Sequence, residues 1–399
     1  MKKFIQNMHI LSVHSRYQIR GGEDECQEAE VSLLREMGHL VEVYEESNDR
    51  VAALNTLRMV VKTVWSQEAH QTLRDRLKER SYDVVHVQNF FPLISPSVYY
   101  AAKAEGVPVV QTLHNYRLLC PNALFFRSGR VCEDCLGKSV PWPGLLHACY
   151  RGSRPATGVV TAMLTTHRAM QTWTELVDIY IALTEFARQK FIEGGLPAEK
   201  IVVKPHFVHP DPGCGEGHGG YGIFVGRLSP EKGIATLLAA WQLLKGKVPL
   251  KIVGDGPLAS WLVEAAQKIP GVDLLGRMPP TEVYKLIGEA AFLVFPSEWY
   301  ETFGRVAIEA FAKGTPVIAS NIGAIADLVD SGRVGFQFQP GDAEDLAAKV
   351  ERVLANPAEL VQMRREARHE FEAKYTAQKN YQRMIEIYAQ VQSGFIHQN

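Results

Sequence analysis

Short apolar runs alternate along this chain with longer stretches whose apolar positions return about every three to four residues, a rhythm that predicts strands and amphipathic helices in a parallel α/β sheet. His9–Val13, Val41–Tyr44, Val84–Val87, Val107–Leu113, Ile179–Ala182 and Ile201–Val203 read as the strands of a first sheet. Glu25–Met37 reads as a helix between the first two, and Glu185–Glu193 as another that ends at Gly194 and Gly195, a C-cap signal. The rhythm stops at residues 206–220, which are rich in Pro and Gly and lack periodicity, so they read as a linker. It restarts with Ile223–Val225, Leu250–Val253, Val272–Leu274, Ala291–Phe295 and Val317–Ala319, a second parallel sheet. The expected domains are residues 1–205 and 221–375, the first carrying a long aperiodic loop over 119–158. A last helix in 376–399 presents Tyr381, Met384, Ile385 and Tyr388 as one stripe and is expected to cross back to the first domain.

The length of 399 residues exceeds what one hydrophobic core sustains, in keeping with two domains. With 46% hydrophobic residues, 22% charged residues and a net charge of -1, the chain has the composition of a folded enzyme and not of a nucleic-acid binder. Met1–Met8 does not read as a signal peptide, and no run approaches the roughly 20 apolar residues that span a bilayer. A cytoplasmic protein is expected, with peripheral contact to the inner membrane face as an extension of that expectation.

Candidate chemistry gathers at strand ends. Glu301 and Glu309 lie in Glu-Thr-Phe-Gly-Arg-Val-Ala-Ile-Glu, after the strand that ends at Phe295. A helix starting near Gly304 would offer free N–H groups to a phosphate and place the two carboxylates on either side of it. Arg227 and Lys232, in Gly-Arg-Leu-Ser-Pro-Glu-Lys-Gly after the first strand of the second sheet, put two cations at the mouth of that sheet, suited to a diphosphate. Taken singly, each of these residues would pass for part of a solvated loop or helix.

In this order the motifs resemble the retaining glycosyltransferases of family 4, whose fold is GT-B: α/β, with two Rossmann-like domains facing each other across a cleft. The resemblance covers essentially the whole chain and is most specific from Phe295 to Ala319. It implies that Glu309 binds the donor ribose and Glu301 the hydroxyls of the transferred sugar. Arg227 and Lys232 would neutralise the diphosphate, lined by the amides of Phe303, Gly304, Arg305 and Val306, and Arg277 would lie near the base. Gly21 and Gly22, before a helix of the first domain, correspond to a loop that approaches the diphosphate. His114 matches a residue near the acceptor and the transferred sugar, but Asn115 stands where the family often has Asp, so no carboxylate beside His114 can be assumed. The donor would be a UDP- or GDP-sugar and the reaction front-face transfer with retention. No cofactor is expected for catalysis, since no Asp-x-Asp pair stands at a strand end. Two alternatives stay open, a sugar-nucleotide epimerase of the same fold and a non-catalytic sugar-nucleotide-binding protein.

The long loop holds Cys120, Cys132, Cys135 and Cys149 in the spacing Cys-x11-Cys-x2-Cys-x13-Cys, which suits a closed tetrahedral structural zinc. So long an insertion needs a staple, and zinc is the expected one. In and beside the loop, cations from Arg117 to Arg168 interleave with apolar residues such as Leu118, Leu119, Phe125, Trp142, Leu145 and Leu146. The mixture suits an anionic membrane surface or a lipid-linked acceptor. Extension of a saccharide or lipid-linked saccharide in cell-surface polysaccharide assembly is the expected role.

Overall fold

The computed structural model describes residues 7–18, 20–53 and 56–396. In chain order its strands are β1 His9–Arg16, β2 Leu40–Ser47, β3 Val84–Asn89, β4 Val109–Thr112, β5 Phe126–Arg127, β6 Arg130–Val131, β7 Ile179–Ala182 and β8 Ile201–Val203, then β9 Gly222–Val225, β10 Leu250–Val253, β11 Val272–Gly276, β12 Phe292–Phe295, β13 Val317–Ser320 and β14 Gly335–Phe338. The chain divides into two compact units, one of Met1–Leu124, Glu133–Lys204 and Tyr381–Asn399, the other of Phe125–Cys132 and Pro205–Asn380.

The first unit is built on a parallel sheet ordered β2-β1-β3-β4-β7-β8. Strands β3, β4 and β7 are buried along their whole length, and the polar residues they carry, His86, Gln88 and Asn89 in β3 and Gln111 and Thr112 in β4, are buried with them. The last helix, Ala377–Ile396, packs within this unit over most of its length: Tyr381, Met384, Ile387, Tyr388 and Val391 are buried. Tyr388 and Tyr381 do more than fill space, since their hydroxyls meet His86 Nδ1 at 2.8 Å and His39 Nε2 at 2.9 Å.

The second unit carries a parallel sheet ordered β11-β10-β9-β12-β13-β14. Strand β14 was not among the expected strands. Gly335-Phe336-Gln337-Phe338 offers only four residues after a turn, and pairing with β13 is what makes it a strand. Below the sheet, Trp241 is fully buried among Leu237, Phe292 and Ile318, and its indole N–H donates to the Val248 carbonyl at 2.9 Å. Each burial of an aromatic of this size contributes on the order of 2–3 kcal/mol.

The segment expected to be a featureless loop contains the antiparallel hairpin β5–β6 and a short helix, Trp142–Leu146. It also ends early, because Ser153 caps a helix over Arg154–Ala169 by accepting from the Ala156 N–H at 3.3 Å. Two prolines flanking Trp142 hide the short helix from any search for periodicity.

Candidate functional site

In the second sheet the strand order reverses between β9 and β12, and ligands of open α/β sheets bind outside the carboxyl ends of the strands at such a point. Two loops leave here. Residues 226–233 follow β9 and residues 296–304 follow β12, and they are tied together by the Glu298 N–H on the Glu231 carbonyl at 2.9 Å and by Thr236 Oγ1 on Glu298 Oε1 at 2.6 Å. The approach is tight: a Cβ on Gly233, whose φ is 69°, would lie 1.8 Å from the Pro296 carbonyl oxygen. Only glycine fits.

The two loops bring Lys232 to Glu301. Its ammonium donates to Glu301 Oε1 at 2.5 Å, and the same oxygen accepts from Ser297 Oγ at 2.8 Å and from the Trp299 indole N–H at 2.9 Å. Glu301 is buried, so three donors on one oxygen fix where its carboxylate points. The Lys232 ammonium also sits 5.3 Å from the centre of the Trp299 ring, within cation–π range.

Glu301 is followed by a helix, Arg305–Ala312, that begins directly after Gly304, whose φ is 130°. No side chain caps this start and no acidic residue lies in its first turn, so the positive end of the helix dipole is not offset from within. One turn along, Glu309 Oε1 pairs with Arg305 Nε at 3.0 Å. Phe303 is buried edge-on against His206 at 5.2 Å, which anchors the backbone where the helix starts. Val306 is half-buried. The structure thus joins Lys232 to Glu301 and Arg305 to Glu309. Arg227 and Arg277 are exposed, and their side chains make no ion pair among the described residues.

In the first unit, Gly21 is the N-cap of the helix Gly22–Glu36, and its N–H donates to Asp24 Oδ2 at 2.9 Å, an acid reaching back to the helix start. Asp24 Oδ1 also meets His14 Nε2 at 2.8 Å, both side chains being almost wholly buried. Burial pushes the Asp24 carboxyl up, but the hydrogen bonds from His14, Gly21 and Tyr17 outweigh it and hold the carboxyl below the usual range. Gly22 lies exposed at the first turn.

A narrow recess open to solvent is lined by residues that include Tyr17, Gln88, His114, Asn115 and Arg117. His114 is buried, and burial depresses its pKa to about 3, so the ring is neutral near pH 7. Its tautomer follows from its partners. Glu30 accepts from Gln88 Nε2 at 2.8 Å, which turns the amide oxygen of Gln88 toward His114 Nε2 at 2.7 Å. Nε2 therefore carries the proton and donates. Glu30 is itself paired with Lys204 Nζ at 2.5 Å. A carboxylate does orient His114, then, but through an amide and from the helix Gly22–Glu36. Asn115 serves elsewhere: its Nδ2 donates to Glu23 Oε1 at 2.7 Å, and Tyr17 OH donates to Glu23 Oε2 at 2.9 Å. Burial raises the Glu23 carboxyl pKa in spite of these two bonds.

Sequence reasoning passed over Tyr17, Glu23, Asp24, Glu30, Gln88 and Lys204. The acid three residues after Gly21 was a readable capping signal. The others carried none, because Glu30, Gln88 and Lys204 meet only through the fold.

The expected zinc site finds no support. Among the described residues no group of three or more His, Cys, Asp or Glu is placed to hold a metal ion, and none of the six cysteines is in a disulfide. Cys120 and Cys135 are buried, Cys132 and Cys149 half-buried. The Cys132 N–H donates to the Phe125 carbonyl at 2.7 Å, and the Phe125 ring packs on Tyr300 at 6.3 Å, while the Cys135 thiol turns to the Pro141 carbonyl at 3.8 Å. The loop is stapled by a guanidinium instead: Arg168 donates to the carbonyls of Leu118 at 2.7 Å and Lys138 at 2.5 Å.

Two parallel-sheet Rossmann-like domains define the class, an α/β protein of GT-B fold. Known proteins agree with that class: residues 219–370 match the family described as glycosyl transferases group 1, and residues 31–212 match glycosyltransferase family 4. The chain belongs to the group 1, family 4 type of glycosyltransferases. Among its relatives are a glycogen synthase of Mycobacterium tuberculosis, 35% identical over 178 residues that make up 43% of each chain, and a lipopolysaccharide 1,2-N-acetylglucosaminetransferase of Salmonella typhimurium, 31% identical over 41% of this chain and 46% of that one. The match thus spans less than half the length of these curated relatives. Similar solved structures include the Anabaena protein HepE in complex with UDP and glucose, at 19% identity, a TM-score of 0.67 and coverage of 96% of this chain and 100% of that one. A sucrose-phosphate synthase of Thermosynechococcus elongatus aligns with a TM-score of 0.72 at 16% identity, over 97% of this chain and all of the other.

Proposed function

We propose that this chain transfers a sugar from a nucleoside-diphosphate sugar, UDP- or GDP-linked, to a saccharide or lipid-linked acceptor, with retention of anomeric configuration, in cell-surface polysaccharide assembly. The observation that carries the reading is the Lys232–Glu301 pair at the strand-order reversal, beside the uncapped helix start that leads to Arg305 and Glu309. Glu301, whose carboxylate is held beside Lys232, is assigned to the hydroxyls of the transferred sugar. Lys232 and Arg227 are assigned to the diphosphate, and the amides of Phe303, Gly304, Arg305 and Val306 line it. Glu309 takes the ribose hydroxyls, and Arg277 lies toward the base. Gly21, Gly22 and His114 are assigned, on the family resemblance, to the diphosphate and the acceptor.

As the bond from the anomeric carbon to the diphosphate breaks, negative charge grows on the leaving oxygen, and a fixed ammonium, guanidinium and helix N-terminus stabilise it. The leaving oxygen takes the proton of the attacking hydroxyl on the same face, which places the new bond where the old one was. His114, neutral and fixed as the Nε2–H tautomer, contributes as a polar contact and not as a cation.

Incubation with a panel of UDP- and GDP-sugars, followed by assay of nucleoside diphosphate and by NMR of the product, tests this reading. Lys232→Ala and Glu309→Ala should each lower kcat/KM at least roughly tenfold, since each removes a charge-assisted contact of about 1.5–3 kcal/mol. Unchanged kinetics in both would move the donor site elsewhere. An inverted anomeric centre would refute retention, an epimerised donor would indicate an epimerase, and binding without turnover a regulatory protein.

A further inference from the structure

From Leu136 to Thr174 the chain has no Asp or Glu and carries Lys138, Arg151, Arg154 and Arg168, although its net charge overall is -1. Arg168 is spent on backbone carbonyls, as described. The other three cations are exposed and make no ion pair among the described residues. The same stretch holds the helix Trp142–Leu146, which buries Pro143 and Gly144 and packs so closely that a Cβ on Gly144 would lie 2.8 Å from the Pro121 ring. What faces outward is apolar: Trp142 is 55% exposed, Leu146 54%, Val140 44% and Leu145 38%. Leu118, Leu119 and Phe125, which in sequence belong to the same basic and apolar mixture, are buried and take no part. A tryptophan, two leucines and a valine exposed within one short segment are not the scattered surface apolars of an ordinary soluble face.

We propose that the helix Trp142–Leu146, with Lys138, Arg151 and Arg154, is a docking surface for an anionic lipid bilayer. An indole and short aliphatic side chains enter the headgroup region, where tryptophan is favoured, and the cations beside them meet lipid phosphates. Charge selects this occupant over a second copy of the chain. A two-fold contact through this face would set the same three cations against themselves. The surface lies on top of the membrane and does not cross it, for among the described residues no helix is long and apolar enough to span one. The inference deepens the proposed function by supplying a reason for a lipid-linked acceptor, but the docking itself requires no turnover.

Sedimentation of the full chain with vesicles of phosphatidylcholine alone, and of phosphatidylcholine mixed with phosphatidylglycerol, tests it at low and high salt. Binding is expected only to the mixed vesicles and only at low salt. Arg151→Gln and Arg154→Gln should each lower the partition coefficient roughly fivefold, and Trp142→Ser/Leu146→Ser should abolish most of it with no loss of folding, since those side chains are already exposed. Absence of binding at low salt, equal binding to uncharged vesicles, or a concentration-dependent dimer dispersed by Trp142→Ser would each overturn the proposal. Transfer to a soluble saccharide separates the two readings: in the wild type, no docking with transfer intact rejects the surface alone and docking without transfer rejects the activity alone, whereas the variants should lose docking and keep that transfer.

Discussion

Glu30 offers a sharp test of the interior that orients His114. Its carboxylate lies 2.5 Å from Lys204 Nζ, with 0% of the lysine and 2% of the glutamate side chain exposed. At that separation an effective dielectric near 20 gives an attraction of roughly 6–7 kcal/mol, set against a desolvation penalty of several kcal/mol for each ion. The net worth of the pair is therefore small, whereas the consequence of breaking it is large. Glu30→Gln keeps the shape and an acceptor for Gln88 but takes the neighbouring negative charge from a buried ammonium, and should destabilise by about 3–5 kcal/mol. Glu30→Gln/Lys204→Met removes both charges and should recover most of that loss. Urea unfolding measures it, each transition fitted separately because a chain of two units need not unfold in one step. A loss below about 1 kcal/mol in the single variant, or a double variant no more stable than Glu30→Gln, would refute the view that this buried pair is energetically coupled.

Two further outcomes follow from the geometry. His86 and His114 have pKa values depressed by burial to about 4 and about 3, from an ordinary 6.5, so below pH 6.5 the unfolded chain binds protons that the folded chain refuses; the stability they contribute is full above that pH and falls by up to about 1.4 kcal/mol per pH unit for each histidine on acidification toward the folded values, and urea titrations of wild type and His86→Gln near pH 7 and near pH 5 should show the shallower slope in the variant. Gly233→Ala forces a Cβ toward the Pro296 carbonyl at a φ of 69° and should cost more than about 1–2 kcal/mol; a thermal midpoint equal to wild type would show that the two loops are not packed as described.

The periodicity of the sequence determined the two parallel sheets, because strands buried on both faces must be written as apolar runs and the helices between them as stripes. The family motifs marked Glu301, Glu309, Arg227 and Lys232 as candidates, and the strand read at Ala291–Phe295 put a helix start near Gly304, where the helix Arg305–Ala312 begins. What the sequence could not carry was partnership at a distance. Lys232 and Glu301 lie 69 positions apart, and only the reversal of strand order between β9 and β12 makes their loops neighbours. Lys204, Glu30, Gln88 and His114 come from four separate elements, so the substitute for the missing acid at Asn115 was invisible before folding. In the cysteine loop the spacing suggested zinc, yet spacing constrains ligands only when the chain between them is free to bend. There the fold supplies the hairpin β5–β6 and the Arg168 guanidinium on the carbonyls of Leu118 and Lys138, neither of which the spacing foretold.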